Sequence, residues 1–200
     1  MTDLHFDCFS GISGDMTLGA LVDAGLPFKD LARALKAVPV GGYRLRSTRV
    51  HRGGLHATKI DVVIHQGSRS PFSLSRIQRI IASSRIPPTV KEQSHEVFDR
   101  LAKAEGLAHR VSPSRVVFHE VGVVDSLVDV MGSLLACHLL GVNRITASPV
   151  NLGSGFIESV HGTLPAPGPA VVALARGIPV YSAGPARELT TPTGLALLAT

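Results

Sequence analysis

Two aspartates stand four residues apart in "VVDSLVDVMGSLLACHLL", so on a helix Asp125 and Asp129 share one face. Ser133 and Cys137 continue that ridge through a segment that is otherwise apolar. A buried carboxylate costs several kcal/mol unless it is paired, so Asp129 needs a partner, and His119 and Glu120 lie just upstream. One reading makes Asp125 a helix N-cap and Asp129 a structural hydrogen-bond acceptor. The other makes His119, Glu120, Asp125 and Asp129 a cluster for acid–base or metal chemistry.

A second constellation is "DCFSGISGDM", residues 7–16, where a strand meets a Gly/Ser loop and a helix opens on Asp15. It lacks the lysine of a P-loop and the glycine spacing of a dinucleotide turn. Gly11-Ile12-Ser13-Gly14-Asp15 falls one residue short of a serine nucleophile elbow, with Asp15 where that motif has glycine. A carboxylate in the first helical turn also competes for the N–H groups that a phosphate would use. Three readings stay open. Ser13 or Asp15 caps the helix while the glycines make the turn; His5, Asp7, Cys8 and Asp15 form a cation corner suited to a late transition metal; or Ser10, Gly11, Ser13 and Gly14 grip a phosphate.

Two further stretches carry polar groups. "SVHGTLPAPGPA" sets His161 and Thr163 beside a stiff proline run. "ELTTPTG" gathers Glu188, Thr190, Thr191 and Thr193 around a helix start, with Thr191 as N-cap and the other threonines free to offer hydroxyls to an anion. In "RGGLHAT" the residues read mainly as a turn, with His56 and Thr58 as weak candidates. His51, His65, His95 and His109 read as surface residues.

The elements that position these groups alternate. A strand over 4–8 leads to a helix over about 15–24 that ends at Gly25, and Pro27 opens a second helix. "GGYRLRSTRVHRGGLHATKIDVVIHQ" predicts a hairpin turning at Gly53–Gly54. "GSRSP" (67–71) is a joint that could divide the chain. Two amphipathic helices follow, one marked by Leu74, Ile77, Ile80 and Ile81, the other by Val90, Val97, Phe98, Leu101 and Ala104. A short strand and turn "RVVFHEVG", the apolar helix closed by Gly141, a strand "RITASPVNLG", an ordered Gly/Pro loop, a helix near 168–176 and a strand "IPVYS" come next. The last helix starts at Pro192 and has barely begun at Thr200, which leads us to expect the native chain to continue. The pattern predicts one α/β domain, a mixed β-sheet flanked by helices with a β-hairpin insertion, as the first domain of a longer chain.

Hydrophobic residues make up 44% of the chain and charged ones 18%, which excludes a disordered tail. The net charge of +5 comes without a Lys/Arg run and with few aromatics, so nucleic acid is not the expected partner. No apolar run approaches the roughly 20 residues that span a bilayer. Two distant cysteines are no disulfide framework, and the start carries no basic signal region, so a cytoplasmic location is expected.

Five segments in this order resemble the N-terminal part of the nickel insertion proteins (the LarC family): "DCFSGISGDMTLGALVDAG", "HRGGLHATKIDV", "FHEVGVVDSLVDVMG", "GSGFIESVHGTLPAPGPA" and "IPVYSAGPARELTTPTGLALL". The resemblance implies insertion of nickel into pyridinium-3,5-bisthiocarboxylic acid mononucleotide, with two Ni–S bonds and one Ni–C bond formed and a ring proton lost. The product is the nickel-pincer cofactor of lactate racemase and related enzymes. It implies CTP with Mg or Mn, handled by a C-terminal domain that this chain lacks, and so an isolated domain without activity of its own. A recipient racemase-type apoenzyme and a homo-oligomer are the implied partners. On this basis His119, Glu120 or Asp129 would take the proton, the 10–14 loop and the 190–193 threonines would hold the nucleotide, and His5, Asp7, Cys8 or His161 would ligate nickel in passing. The alternative is a substrate-binding or docking module. One departure stands out: where family members often carry a histidine-rich stretch, this chain reads "IHQGSRSP", with one histidine.

Overall fold

The structure, a computed structural model, describes residues 2–65, 72–118, 123–159 and 162–200. Strand β1 (Thr2–Phe6) leads through the Gly/Ser loop to helix α1 (Gly14–Asp23), and α2 (Phe28–Ala34) follows Pro27. The hairpin comprises β2 (Tyr43–Arg52) and β3 (Leu55–Ile64). Next come β4 (Phe72–Ser73), α3 (Leu74–Ser83), α4 (Pro88–His109) and β5 (Val117–Phe118). The chain continues through α5 (Val123–Leu139), β6 (Val142–Ala147), β7 (Val150–Asn151), β8 (Phe156–Ser159) and β9 (Gly162–Pro165). It then forms α6 (Pro169–Leu174), β10 (Val180–Tyr181) and α7 (Pro192–Leu198).

Local chemistry accounts for most of these boundaries. Ser13 caps α1 by accepting from the Met16 N–H at 3.3 Å, and Thr191 caps α7 by accepting from the Gly194 N–H at 3.3 Å. Pro88, Pro169 and Pro192 sit at helix starts, where a missing N–H costs nothing. Gly53 and Gly54 both hold positive φ (57° and 83°), the backbone of the two-residue turn whose twist matches its strands.

The domain is α/β, and its strands pair both ways, in two-stranded ladders. β1 with β6 and β7 with β10 run parallel; β2 with β3, β4 with β5 and β8 with β9 run antiparallel. The Asn151 N–H donates to the Cys8 carbonyl at 3.2 Å, which places β7 between the end of β1 and β10. The Gly/Pro-rich stretch, expected as an ordered loop, instead contains the β8–β9 hairpin, with Ile157 opposite Leu164 and the Thr163 hydroxyl donating to Glu158 at 2.7 Å. Its strands are four residues each and largely exposed, too short to show an alternating pattern.

Helix α5 runs through the main core, where Leu127, Val130 and Met131 are fully enclosed by side chains from α1, α2, α3, α4 and β3. This cluster draws on residues from both sides of the 67–71 joint, which itself lies outside the described residues. A smaller core gathers Cys8, Ile12, Val150, Leu152, Val171 and Leu195. Close contact between α1 and its neighbours requires glycine. A Cβ on Gly14 would meet the Asp129 carboxylate at 2.5 Å, and one on Gly19 would meet the Thr58 carbonyl at 2.3 Å. Among the described residues no helix is long and apolar enough to cross a membrane.

Candidate functional site

A cavity of about 640 Å³ opens where four helices begin. The first residues of α1 (Gly14, Asp15), α5 (Asp125, Ser126), α6 (Pro169, Ala170) and α7 (Pro192, Thr193) all line it. Helix starts carry partial positive charge, yet the side chains that reach the cavity are acidic. Asp15, Glu105, Asp125, Asp129, Glu158 and Glu188 line it, and no lysine, arginine or histidine does so among the described residues. The lining favours a cation or a cationic ring over a free phosphate chain.

Asp129 is strongly perturbed. Gly14 lets α1 approach it closely, and its Oδ1 is buried without a hydrogen-bond partner among the described residues. Burial, then the charges of Asp15 and Asp125, push its pKa up to about 8. Three carboxyl groups around one cavity cannot all ionise cheaply, so one holds its proton. At neutral pH Asp129 is a neutral acid. A divalent cation between it and its neighbours would offset the two charges that keep it protonated and convert it to a carboxylate.

The surroundings orient the other groups. Ser13 donates its hydroxyl to the Asp15 carboxylate while capping α1. Glu105, 6% exposed, pairs with His109 at 3.3 Å. The N-terminal loop and the threonine segment pack against each other: the Thr191 N–H donates to the Ile12 carbonyl at 3.0 Å, and a Cβ on Gly194 would lie 2.4 Å from that same carbonyl.

The structure thus brings Ser13, Gly14, Asp15, Asp125, Asp129, Thr191 and Thr193 to one cavity. It places the other candidates elsewhere. Asp125 lies inside the first turn of α5 rather than at its cap. Cys8, 2% exposed, sits in the smaller apolar core, where burial and then the Asp7 charge raise its thiol pKa. His5 bonds Thr146 Oγ1 at 2.9 Å through its Nδ1, and Asp7 and Ser10 are exposed outside the cavity lining. Thr190 is fully buried with its hydroxyl donating to the Asn151 carbonyl at 2.8 Å, and Gly11 packs against the Leu189 backbone. His119, Glu120 and His161 lie outside the described residues. Among the described residues no three His, Cys, Asp or Glu side chains are placed to close around a metal ion.

Sequence reasoning missed Glu105, Glu158 and Ser126. Glu105 carried a signal: it falls four residues after Leu101, on the apolar ridge of its helix, where a charge is out of place. Glu158 carried none, because the hairpin that presents it was read as a loop.

The fold and the cavity define a class, an α/β domain with an acid-lined pocket that suits a cation. The model of the nickel insertion protein family matches residues 4–200, and the chain belongs to that family. A relative from Syntrophobacter fumaroxidans is 50% identical over 199 residues, covering 100% of this chain and 51% of its own length. The pyridinium-3,5-bisthiocarboxylic acid mononucleotide nickel insertion protein of Desulfitobacterium hafniense is 45% identical over 198 residues, 99% of this chain and 49% of that protein. The chain spans about half the length of the curated relatives it matches. No solved structure matches.

Proposed function

We propose that this chain is the N-terminal part of a nickel insertase acting on pyridinium-3,5-bisthiocarboxylic acid mononucleotide, and that the four-helix cavity is where its reaction takes place. The observation that carries this reading is the meeting of Asp15, Asp125 and Asp129 at one cavity, with the Asp129 Oδ1 buried and unpartnered among the described residues. Nickel and the mononucleotide are both substrates here. Asp15 and Asp125 draw the cation in, and the two sulfurs of the substrate complete its coordination, so no closed protein site is needed. The ring carbon then exchanges its hydrogen for nickel: the C–H electron pair forms the Ni–C bond and the proton goes to the Asp129 carboxylate, with no change of oxidation state. His119 and Glu120 are further candidates to relay that proton, and His161 to touch the metal.

Thr191 and Thr193 supply hydroxyls for the ribose, while Ser13, whose hydroxyl is donated to Asp15, orients that carboxylate. Cys8, Gly11 and Thr190 have structural roles in this reading, given their enclosure. The six acidic side chains of the cavity do not fit a nucleoside triphosphate, so CTP and its Mg or Mn are assigned to the remaining half of the full-length protein. Classification as a lyase, lack of activity in this half alone, cytoplasmic location, homo-oligomers and transfer to a racemase-type apoenzyme belong to the same proposal.

The test is Asp129→Asn in the full-length protein. A group that takes a proton in the reaction contributes about 10²- to 10⁴-fold, so nickel insertion should fall at least about a hundredfold while the thermal melt stays cooperative. Unchanged insertion would remove Asp129 from the reaction.

A further inference from the structure

We propose that His51 and His56 form a two-imidazole binding site for a late first-row divalent cation at the tip of the β2–β3 hairpin. The two residues are directly opposite one another in the ladder, one step in from the Gly53–Gly54 turn. In a hairpin closed by a two-residue turn, that step is a non-hydrogen-bonded pair, where facing side chains come closest. Their ring centres are 4.5 Å apart with the planes tilted by 35°. Both residues are exposed, and among the described residues no hydrogen bond or ion pair occupies either ring.

The spacing matches a shared ligand. A metal–nitrogen bond of about 2.0–2.1 Å puts the metal about 3.2 Å from each ring centre. Two cis imidazoles at a right angle, as in square-planar or octahedral coordination, then have centres about 4.5 Å apart, against about 5.2 Å in a tetrahedron. The observed separation of 4.5 Å lies in the range that one cation shared by two cis imidazoles requires. Imidazole also suits late first-row divalent cations by donor type.

The charges nearby permit it. The two histidines extend the hairpin face that carries Arg49 and Thr58, and Arg49 is neutralised by Asp23 at 2.8 Å. Arg52 alternates to the opposite face. The pair is separate from the acidic cavity. The hairpin is tied to Asp23 at the end of α1, whereas Asp15 lies at its start, and ten helical residues span about 15 Å. The inference does not rest on the function proposed for the cavity; a first docking point for a cation at the hairpin tip would stand whatever the cavity does.

The experiment is a titration of the protein with Zn²⁺ alone and then Ni²⁺ alone, followed by the histidine ring resonances and by calorimetry. Both rings should respond together and saturate near one equivalent, and His51→Ala or His56→Ala should each weaken this site at least tenfold. His65→Ala, just past the end of β3 and away from the tip, should leave it unchanged. The proposal is overturned if the two rings do not respond at saturating metal. It is equally overturned if each single substitution changes affinity less than twofold in a variant whose melt matches the parent.

Discussion

Asp129 is legible because it breaks a local rule. A carboxylate one turn into a helix of Val, Leu and Met has to be explained by what it faces, and the structure places it against Gly14 and beside Asp15 and Asp125. Its raised pKa has a consequence for stability. The folded state keeps this proton up to about pH 8, whereas the unfolded chain loses it near pH 4, so unfolding is favoured progressively as pH rises through that window. The parent protein should lose on the order of a few kcal/mol between pH 4 and pH 8 from this group. Asp129→Asn, which cannot ionise, should flatten that part of the profile in denaturant titrations. An identical slope in the variant would mean that Asp129 ionises normally. Cys8 illustrates the opposite case. Its sulfur invites a ligand role in sequence, but the apolar groups that enclose it, Val150, Leu152, Val171 and Leu195, come from segments more than a hundred residues away. No local pattern announces that enclosure.

At the scale of elements, glycine pairs and prolines were the most readable signals. The Gly53–Gly54 turn fixes the hairpin register by itself, so the opposition of His51 and His56 follows from counting outward from the turn. The glycine pair alone predicts the turn, whereas neither histidine, taken singly, announces its partner across the ladder. The β8–β9 hairpin was unreadable because neither strand is long enough for a period-2 pattern to rise above its prolines and glycines. What docks the β2–β3 hairpin on α1 is Asp23. Its carboxylate accepts the Thr58 N–H and hydroxyl, both at 2.6 Å, and the Arg49 guanidinium at 2.8 Å. Burial opposes the ionised form, and the Thr58 and Arg49 bonds outweigh it, holding the pKa below its usual value. Asp23→Ala strands the polar groups of Thr58, itself only 8% exposed. Chemical denaturation should show a loss of about 1–3 kcal/mol. A loss below about 0.5 kcal/mol would show that the hairpin is held by its apolar contacts, Ile60 with Leu45, Val62 and Ile64, and not by Asp23.

For the whole molecule, net charge misdirects. A chain of +5 admits an anionic ligand, yet the cavity at its four helix starts is lined by six acids. The basic excess lies elsewhere, for instance on the hairpin, which carries Arg44, Arg46, Arg49, Arg52 and Lys59. Composition averages over this separation, and only the convergence of four helix starts reveals it. The residues that build the cavity come from positions 13 to 193, so its shape was out of reach of any single motif. The motifs that supplied Ser13, Asp15, Asp125, Asp129, Thr191 and Thr193 could nevertheless be picked out one by one, because each sits at a helix start or interrupts an apolar helix.

On the function proposed above, nickel enters this acidic cavity beside Asp129. The most direct measurement is anomalous scattering at the nickel edge from crystals of the full-length protein soaked with Ni²⁺ and the mononucleotide. A peak bounded by Asp15, Asp125 and Asp129 is expected, lost in Asp129→Asn crystals or displaced from that carboxylate. A peak elsewhere in insertion-competent protein, with none in the cavity, would contradict it.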